Sequence, residues 1–250
     1  MLYNFYDKVA LVTGGCSGIG KAALLQFATC GACVVIVDRN PSLPIDLKDE
    51  LEKMEAKYLF LSCDVCNESE VSAAIESTIK KFGRLDYAYN NAGVGGDFAL
   101  VENYPTADWD FVMNVNLKGV FLCMKYEIPA ILKSGGGAIV NCASLLSTVA
   151  SEQDSAYVAS KFGVLGLTKS AALEYAPTGL RINSISPGFT RTPMIDKGDE
   201  EKLKKIAAKH PIGRLATTEE IANGVLWLCS EQSTFAIGLN LLMDGGYTLA

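Results

Sequence analysis

Three observations predict an α/β protein built on a doubly wound parallel sheet, in a single domain. Short apolar runs alternate with helical patterns along the chain, and a glycine cluster, "TGGCSGIG" at 13–20, follows the first run directly. The second run, "CVVIVD", closes on the acidic Asp38. Continuous apolar runs are strands buried on both faces, which is how parallel strands covered by helices look in sequence. Right-handed crossovers then wind the sheet in two directions and gather ligands at the strands' carboxyl ends.

The elements follow in order. Val9–Thr13 is the first strand, and Gly18–Thr29 carries an apolar helical stripe. Cys33–Val37 is the second strand, followed by a polar helix from about Leu47 to Ala56. Tyr58–Leu61 and Leu85–Tyr89 are strands flanking a helix at Ser69–Phe82. A long helix covers about Trp109–Leu132, then a strand at Ala138–Cys142 and a second long helix at Ser155–Tyr175. Arg181–Ile185 is a strand, Glu219–Leu228 a helix and Asn240–Met243 the last strand.

Composition narrows the function classes. The chain has 250 residues, of which 49% are hydrophobic and 20% charged, enough apolar content for a substantial core. A net charge of −6 and no Lys/Arg cluster argue against nucleic-acid binding and against anionic surfaces such as membranes. "MLYNFYDKVALVTGG" lacks the basic start and apolar run of a secretory signal, and no apolar run reaches the length of a membrane span. A cytoplasmic location is expected. The pairs Cys30-x-x-Cys33 and Cys63-x-x-Cys66 could suggest zinc, but Cys33 and Cys63 bound strand patterns rather than a knuckle. They read as core cysteines, and no metal is expected.

The glycine cluster places unpaired backbone N–H groups at a helix start, where a pyrophosphate can sit. Gly14, Gly18 and Gly20 allow the close approach that side chains would block. The spacing is G-x-x-x-G-x-G rather than G-x-G-x-x-G. Asp38, at the end of the second strand, suits an adenosine ribose and repels a 2′-phosphate, favouring NAD. Arg39 beside it could bind that phosphate, whereas Ser17 in the loop adds no cation. In "SAYVASKFG" Tyr157 stands four residues before Lys161, so a helix holds an ammonium beside a phenol. A cation there lowers the phenol's pKa from about 10; a surface tyrosine and a solvated lysine are the plain alternative.

TGGCSGIG (13–20), NNAG (90–93), NCAS (141–144), YVASK (157–161) and PGFTRTPM (187–194) stand in one order across nearly the whole chain. Together they resemble the short-chain dehydrogenase/reductase family, whose fold is a Rossmann-type sheet. The resemblance implies Tyr157 as general acid/base, Ser144 bonded to the substrate oxygen, and Lys161 on the nicotinamide ribose, lowering the tyrosine's pKa. It implies Asn116, rather than the nearby Asn114, as holder of a relay water. Cofactor contacts are implied for Gly14, Ser17, Gly18, Ile19, Gly20 and Asp38, and for Asp64 and Val65 at the adenine. Asn90, Asn91, Ala92 and Gly93 would line the dinucleotide, with Pro187, Gly188, Thr190 and Thr192 at the nicotinamide end.

Such an enzyme interconverts a secondary alcohol and a ketone by hydride transfer. Val94–Phe98, Leu145–Asp154 and 189–214 should surround the substrate, the last as a lid containing the polar run "DKGDEEKLKK". Leu145, Leu146, Val149 and Ala150 suggest an apolar wall, and Glu152, Gln153 and Asp154 an acidic rim. Alternatives are an NADPH-dependent 3-oxoacyl-[acyl-carrier-protein] reductase and, more remotely, a catalytically silent dinucleotide sensor. A sugar-nucleotide epimerase would need more C-terminal chain. Relatives are commonly homotetramers, and "GLNLLMDGGYTLA" is compatible with such an assembly.

Overall fold

A computed structural model describes residues 3–196 and 198–249. Lys197, in the expected lid, and Met1, Leu2 and Ala250 lie outside the described residues. Seven strands form one parallel sheet: β1 (Val9–Thr13), β2 (Cys33–Asp38), β3 (Tyr58–Ser62), β4 (Tyr87–Asn90), β5 (Gly137–Cys142), β6 (Leu180–Pro187) and β7 (Asn240–Met243). Their spatial order is β3-β2-β1-β4-β5-β6-β7, so the winding reverses between β1 and β4. There the register pairs Thr13 with Asn90, leaving both following loops at the same edge. This is the switch point at which open α/β sheets bind ligands.

Helices cover both faces. On one side α1 (Gly18–Thr29), α2 (Ile45–Lys53) and α8 (Thr218–Cys229) bury Leu24, Phe27, Leu47, Leu51 and Val225 against Ala10, Val12, Val34 and Ile36. On the other, α3 (Glu68–Phe82), α5 (Gly119–Lys133) and α6 (Ser155–Tyr175) bury Val71, Leu122, Ile131 and Val164 against Leu11, Val35 and Ile139. Successive strand residues alternate between the two cores, as the period of two requires. Caps fix where several helices start. Asn67 accepts from Ser69 N at 3.1 Å before α3, and Thr217 and Glu220 form a reciprocal capping box before α8. Among the described residues, no helix is long and apolar enough to cross a membrane.

The structure corrects the sequence expectation in one place and decides it in another. The long helix expected at Trp109–Leu132 is α4 (Thr106–Met113), a π-helical turn at Asn114–Lys118, and then α5. A π-turn inserts an extra residue between stacked turns and recurs at functional sites. In the polar stretch, where a candidate lid and a solvated helix face explain the charge run equally well, the structure has a helix, α7 (Glu200–Ala207). Asp199 caps it, accepting from Lys202 N at 2.9 Å, and Leu203 is its buried residue. The eight cysteines are free thiols; Cys30 and Cys63 are buried, and Cys33 and Cys66 half-buried. Among the described residues, no group of three or more His, Cys, Asp or Glu side chains is placed to hold a metal.

Candidate active site

A cleft of about 860 Å³ runs along the carboxyl ends of the strands. It begins beside Asp38 and Asp64, after β2 and β3, passes the glycine loop after β1, and reaches Ser144, Tyr157 and Pro187 after β5 and β6. Folding thus brings together residues from seven separate stretches of sequence, between Gly14 and Ile195.

The glycine loop is shaped for an anion. Gly14 and Gly18 adopt left-handed φ of +63° and +54°, which glycine reaches without strain. Ser17 caps α1 with extended backbone but no side-chain bond, and no acidic residue occupies the first turn, so the first N–H groups face the cleft uncapped. Ser17 and Ile19 line the cleft with the two glycines. Gly20 does not. It lies beneath the loop, where a Cβ would come within 2.5 Å of Asn91 Nδ2 and collide with the Gly14 carbonyl. Its service is close packing rather than contact.

Asn91 props this loop from the next strand, donating through Nδ2 to Thr13 O at 3.0 Å and Gly14 O at 3.2 Å. Thr13 Oγ1 returns the support by accepting from both Asn91 N and Ala92 N at 3.0 Å. Asn91, Ala92 and Gly93 line the cleft. Asn90 faces the opposite side of β4. There Nδ2 donates to Glu127 Oε2 at 2.9 Å and to Asn141 Oδ1 at 3.0 Å, so its expected place along the dinucleotide is corrected to the interior. Thr13 is the residue that sequence reading missed; a hydroxyl ending a buried strand beside a glycine loop was the available signal.

At the adenosine end, Asp38 accepts from Cys16 N at 3.0 Å and Asn40 N at 3.2 Å, which fixes its carboxylate. Burial and the Asp38 charge push the Cys16 thiol up to about 12, so it stays protonated. Asp64, Val65 and Arg39 also line this end. Arg39 has no ion pair or hydrogen-bond partner among the described residues.

At the other end α6 carries Tyr157 and Lys161 on one face. Lys161 is buried and donates through Nζ to Cys142 O at 2.8 Å, with Nζ 5.6 Å from the centre of the Tyr157 ring. Burial lowers the lysine's pKa. The tyrosine departs from expectation: its phenol is held above its ordinary value, not below it. Burial is the main cause, with Cys142 and Asp154 adding to it, and a hydrogen bond to Ser144 opposes them. A lysine one helical turn away does not by itself overcome desolvation of the phenolate.

Ser144 follows β5 and caps a short turn at Leu145–Ser147, its Oγ accepting from Leu146 N at 3.1 Å and its N–H donating to Ser147 Oγ at 2.9 Å. This pins its hydroxyl beside the phenol. Asn116, in the π-turn, is fully buried and does not line the cleft. Oδ1 accepts from Val94 N at 2.8 Å, while Nδ2 donates to Val94 O at 2.9 Å and Ser160 Oγ at 3.2 Å. Its side chain locks the Gly93–Val94 loop to the two helices. A Cβ on Gly93 would stand 3.3 Å from Asn116 Oδ1 and 3.6 Å from Lys161 Nζ, narrowing the approach to the lysine.

Pro187, Gly188, Thr190 and Thr192 close the far side, and Thr190 Oγ1 donates to Gly188 O at 3.0 Å. Of the expected substrate wall, Leu145, Leu146 and Asp154 line the cleft; Val149, Ala150, Glu152 and Gln153 do not. Among the described residues of the expected lid, only Phe189, Thr190 and 192–195 reach it. Phe98 and Phe111 add aromatic surface, the second from α4, where no motif signalled it.

Residues 14–248 match a family described as enoyl-(acyl carrier protein) reductase. A cyclohexanol dehydrogenase of Acinetobacter sp. (strain SE19) is 43% identical over 248 residues, covering 99% of this chain and 98% of that one. The solved structure of a levodione reductase superposes with a TM-score of 0.94 at 33% identity, covering 99% of this chain and 100% of that one. A carveol dehydrogenase from Mycobacterium avium, solved in complex with NAD, superposes with a TM-score of 0.93 at 27% identity, covering 99% and 100%.

Proposed function

The chain belongs to the short-chain dehydrogenase/reductase family, and on that premise we propose that it is an NAD(H)-dependent oxidoreductase interconverting a secondary alcohol and a ketone. The family acts on CH–OH groups with nicotinamide dinucleotides. The uncapped first turn of α1, the two left-handed glycines and the open loop at Gly93 fit such a group. The observation that carries the reading is the cluster of buried Ser144 and Lys161 around half-buried Tyr157, at the end of a cleft that begins at a fixed carboxylate.

In this reading Gly14, Ser17, Gly18 and Ile19 hold the pyrophosphate, Asp38 the adenosine ribose, and Asp64 and Val65 the adenine. Asn91, Ala92 and Gly93 line the middle of the dinucleotide, and Pro187, Gly188, Thr190 and Thr192 the nicotinamide. The dinucleotide, when bound, supplies or accepts the hydride and, in its oxidised form, brings a positive charge. Tyr157 holds a proton on Oη and delivers it to the ketone oxygen as the alcohol forms, or takes it from the hydroxyl in the reverse direction. Ser144 donates to that oxygen as charge develops on it. The raised phenol pKa suits the donor role directly; proton removal in the oxidative direction relies on Lys161 and on added positive charge nearby. Asn116 acts as a positioning residue, through Val94 and Ser160.

Asp38 supports NAD, because a 2′-phosphate beside its carboxylate is repelled. Arg39 favours a second reading, an NADPH-dependent reductase of 3-oxoacyl thioesters. The segment 189–214 serves as a lid. Exposed Phe121, Phe162 and Leu173 on α5 and α6 support assembly into a homotetramer. The test follows nicotinamide absorbance with NAD and NADP against cyclic alcohols, polyols, steroids and 3-oxoacyl thioesters. NAD-linked turnover of an alcohol should fall by about 10²–10⁴ in Tyr157→Phe while NADH binding persists. Turnover of thioesters alone, with NADPH alone, would overturn the reading.

A further inference from the structure

Asp154 stands at the start of α6, three residues before Tyr157. Asp at this position ordinarily caps the helix by accepting from its first N–H groups. Here it makes no capping bond, and its carboxylate has no hydrogen-bond or ion-pair partner among the described residues. It is only 8% exposed and lines the cleft. The backbone before it is strained. Gln153 is left-handed at φ +63°, a conformation that costs a residue with a side chain. Ala99 N holds it there, donating to Gln153 O at 3.0 Å. The strained residue thus precedes a carboxylate that leaves its helix uncapped and lines the cleft, whose lining also includes Leu145, Leu146, Phe98 and Met194.

A carboxylate on a largely buried residue, without protein donors and open only to the cleft, is left for water or an incoming donor to satisfy. Burial pushes this one up to about 6, so near neutral pH it is mostly an acceptor. We infer that Asp154 accepts a hydrogen bond from a second hydroxyl of the substrate, so that the enzyme selects diols or hydroxyketones over the mono-alcohol of the same skeleton. The inference rests on the alcohol–ketone reading above and names its substrate class. Three residues of helix rise about 4.5 Å, which places this acceptor within reach of a ring whose other hydroxyl meets Tyr157. An ammonium in place of that hydroxyl would itself have to be stripped of water, which makes the neutral donor the better partner.

The experiment compares cyclohexanol with cyclohexane-1,2-, 1,3- and 1,4-diol, and with 2-aminocyclohexanol, using wild type, Asp154→Asn and Asp154→Leu, with NAD and with NADP. At least one diol should exceed cyclohexanol in kcat/KM by about 10-fold, the size expected of a hydrogen bond to a charged group. In Asp154→Leu the diol's KM should rise until the diol-to-cyclohexanol ratio of kcat/KM falls to about one, a ratio in which any effect of the lost charge on Tyr157 cancels. Asp154→Asn, which keeps a carbonyl acceptor, should retain part of it. A preference unchanged in Asp154→Leu, a wild type preferring cyclohexanol, or a preference for the amino alcohol would overturn the inference.

Calorimetric binding of the same alcohols to Tyr157→Phe, with and without Asp154→Leu, decides the matter independently of turnover. Diol affinity above that of cyclohexanol, lost with Asp154, supports the inference, and equal affinities overturn it. Absence of turnover on every alcohol counts against the alcohol–ketone reading alone.

Discussion

Glu127, in the middle of α5, is fully buried with one oxygen accepting from Asn90 Nδ2 at 2.9 Å and the other, Oε1, without a partner. Burial raises its pKa from the ordinary 4.5 to about 7, against a weaker opposing pull from Asn90. Below pH 4.5 the carboxyl is protonated in both folded and unfolded chains and contributes no difference. Between 4.5 and 7 the unfolded chain loses the proton while the folded chain keeps it, so stability falls as pH rises. Above 7 the folded protein bears the whole gap, about 3 kcal/mol at 1.36 kcal/mol per decade. Glu127→Gln is neutral throughout. Its amide can leave an N–H unsatisfied at a cost of about 1–3 kcal/mol, but that cost is the same at every pH. Urea unfolding of both proteins at one concentration, from pH 4.5 to 8.5, should therefore show the variant gaining about 3 kcal/mol on wild type across the range. Asp154 titrates in the same window but in both proteins, so it cancels. Cys123, one turn away, is held too far above its ordinary value to take part. Parallel stability curves, within about 1 kcal/mol, would refute the reasoning and mean that the carboxylate ionises in its ordinary range.

Three further outcomes are expected. Gly20→Ala places a Cβ against Gly14 and Asn91, so NADH affinity, read by fluorescence titration, should weaken by about 10-fold or more; unchanged affinity would show that the loop shifts freely. Asp38→Ser removes one charge that the proposed reading sets beside the 2′ position, and at about 6 Å and an effective dielectric of about 20–80 the relief for a dianionic phosphate is about 1–5 kcal/mol. The NADP/NAD ratio of kcat/KM should then rise by at least about 10-fold, and a static ratio would remove Asp38 from the ribose site. His210 accepts from Phe189 N at 3.2 Å and stacks edge-on against Phe189 and Tyr247, so His210→Ala should speed proteolysis within 189–214 and raise KM. Unaltered cleavage and KM would mean that the segment is held elsewhere.

How much of this was legible in the sequence depended on how local each feature is. The Tyr157–Lys161 pair could be read because helical period alone puts the residues on one face. The seven strands could be read because burial on both faces leaves unbroken apolar runs. Asn90 and Asn91 show the limit of resolution. Adjacent residues of an extended chain point to opposite faces, so one asparagine supports the glycine loop and its neighbour enters the core with Glu127. The π-turn was invisible, since its single inserted residue leaves the apolar periodicity of α4 and α5 almost intact. The helix α7 was legible only as an alternative: with Leu203 as its buried residue, its charge run reads equally well as a solvated helix face or as a mobile lid. The phenol's raised pKa could not be anticipated from spacing, because spacing carries the lysine's attraction but not the desolvation that outweighs it.

The two ends of the reaction site are built to different standards of rigidity. Tyr157 and Lys161 project from a helix of 21 residues whose Ala156, Ser160, Val164, Thr168 and Ala172 are buried against the sheet, and Ser144 is fixed by a reciprocal cap. Proton transfer needs that precision, because a small displacement of the reacting groups is expensive. In the proposed reading the substrate walls come mostly from connections, within 94–98 after β4, 145–154 after β5 and 189–195 after β6, joined by Phe111 of α4. Asp154 is where the two meet. It stands at the first turn of the rigid helix, yet a strained loop residue immediately precedes it. A change at Gln153 that relaxed the left-handed backbone would thus redirect the acceptor without moving the phenol. Selectivity would then change while the geometry of proton transfer stayed intact, a separation that a wall made of helices and strands could not provide.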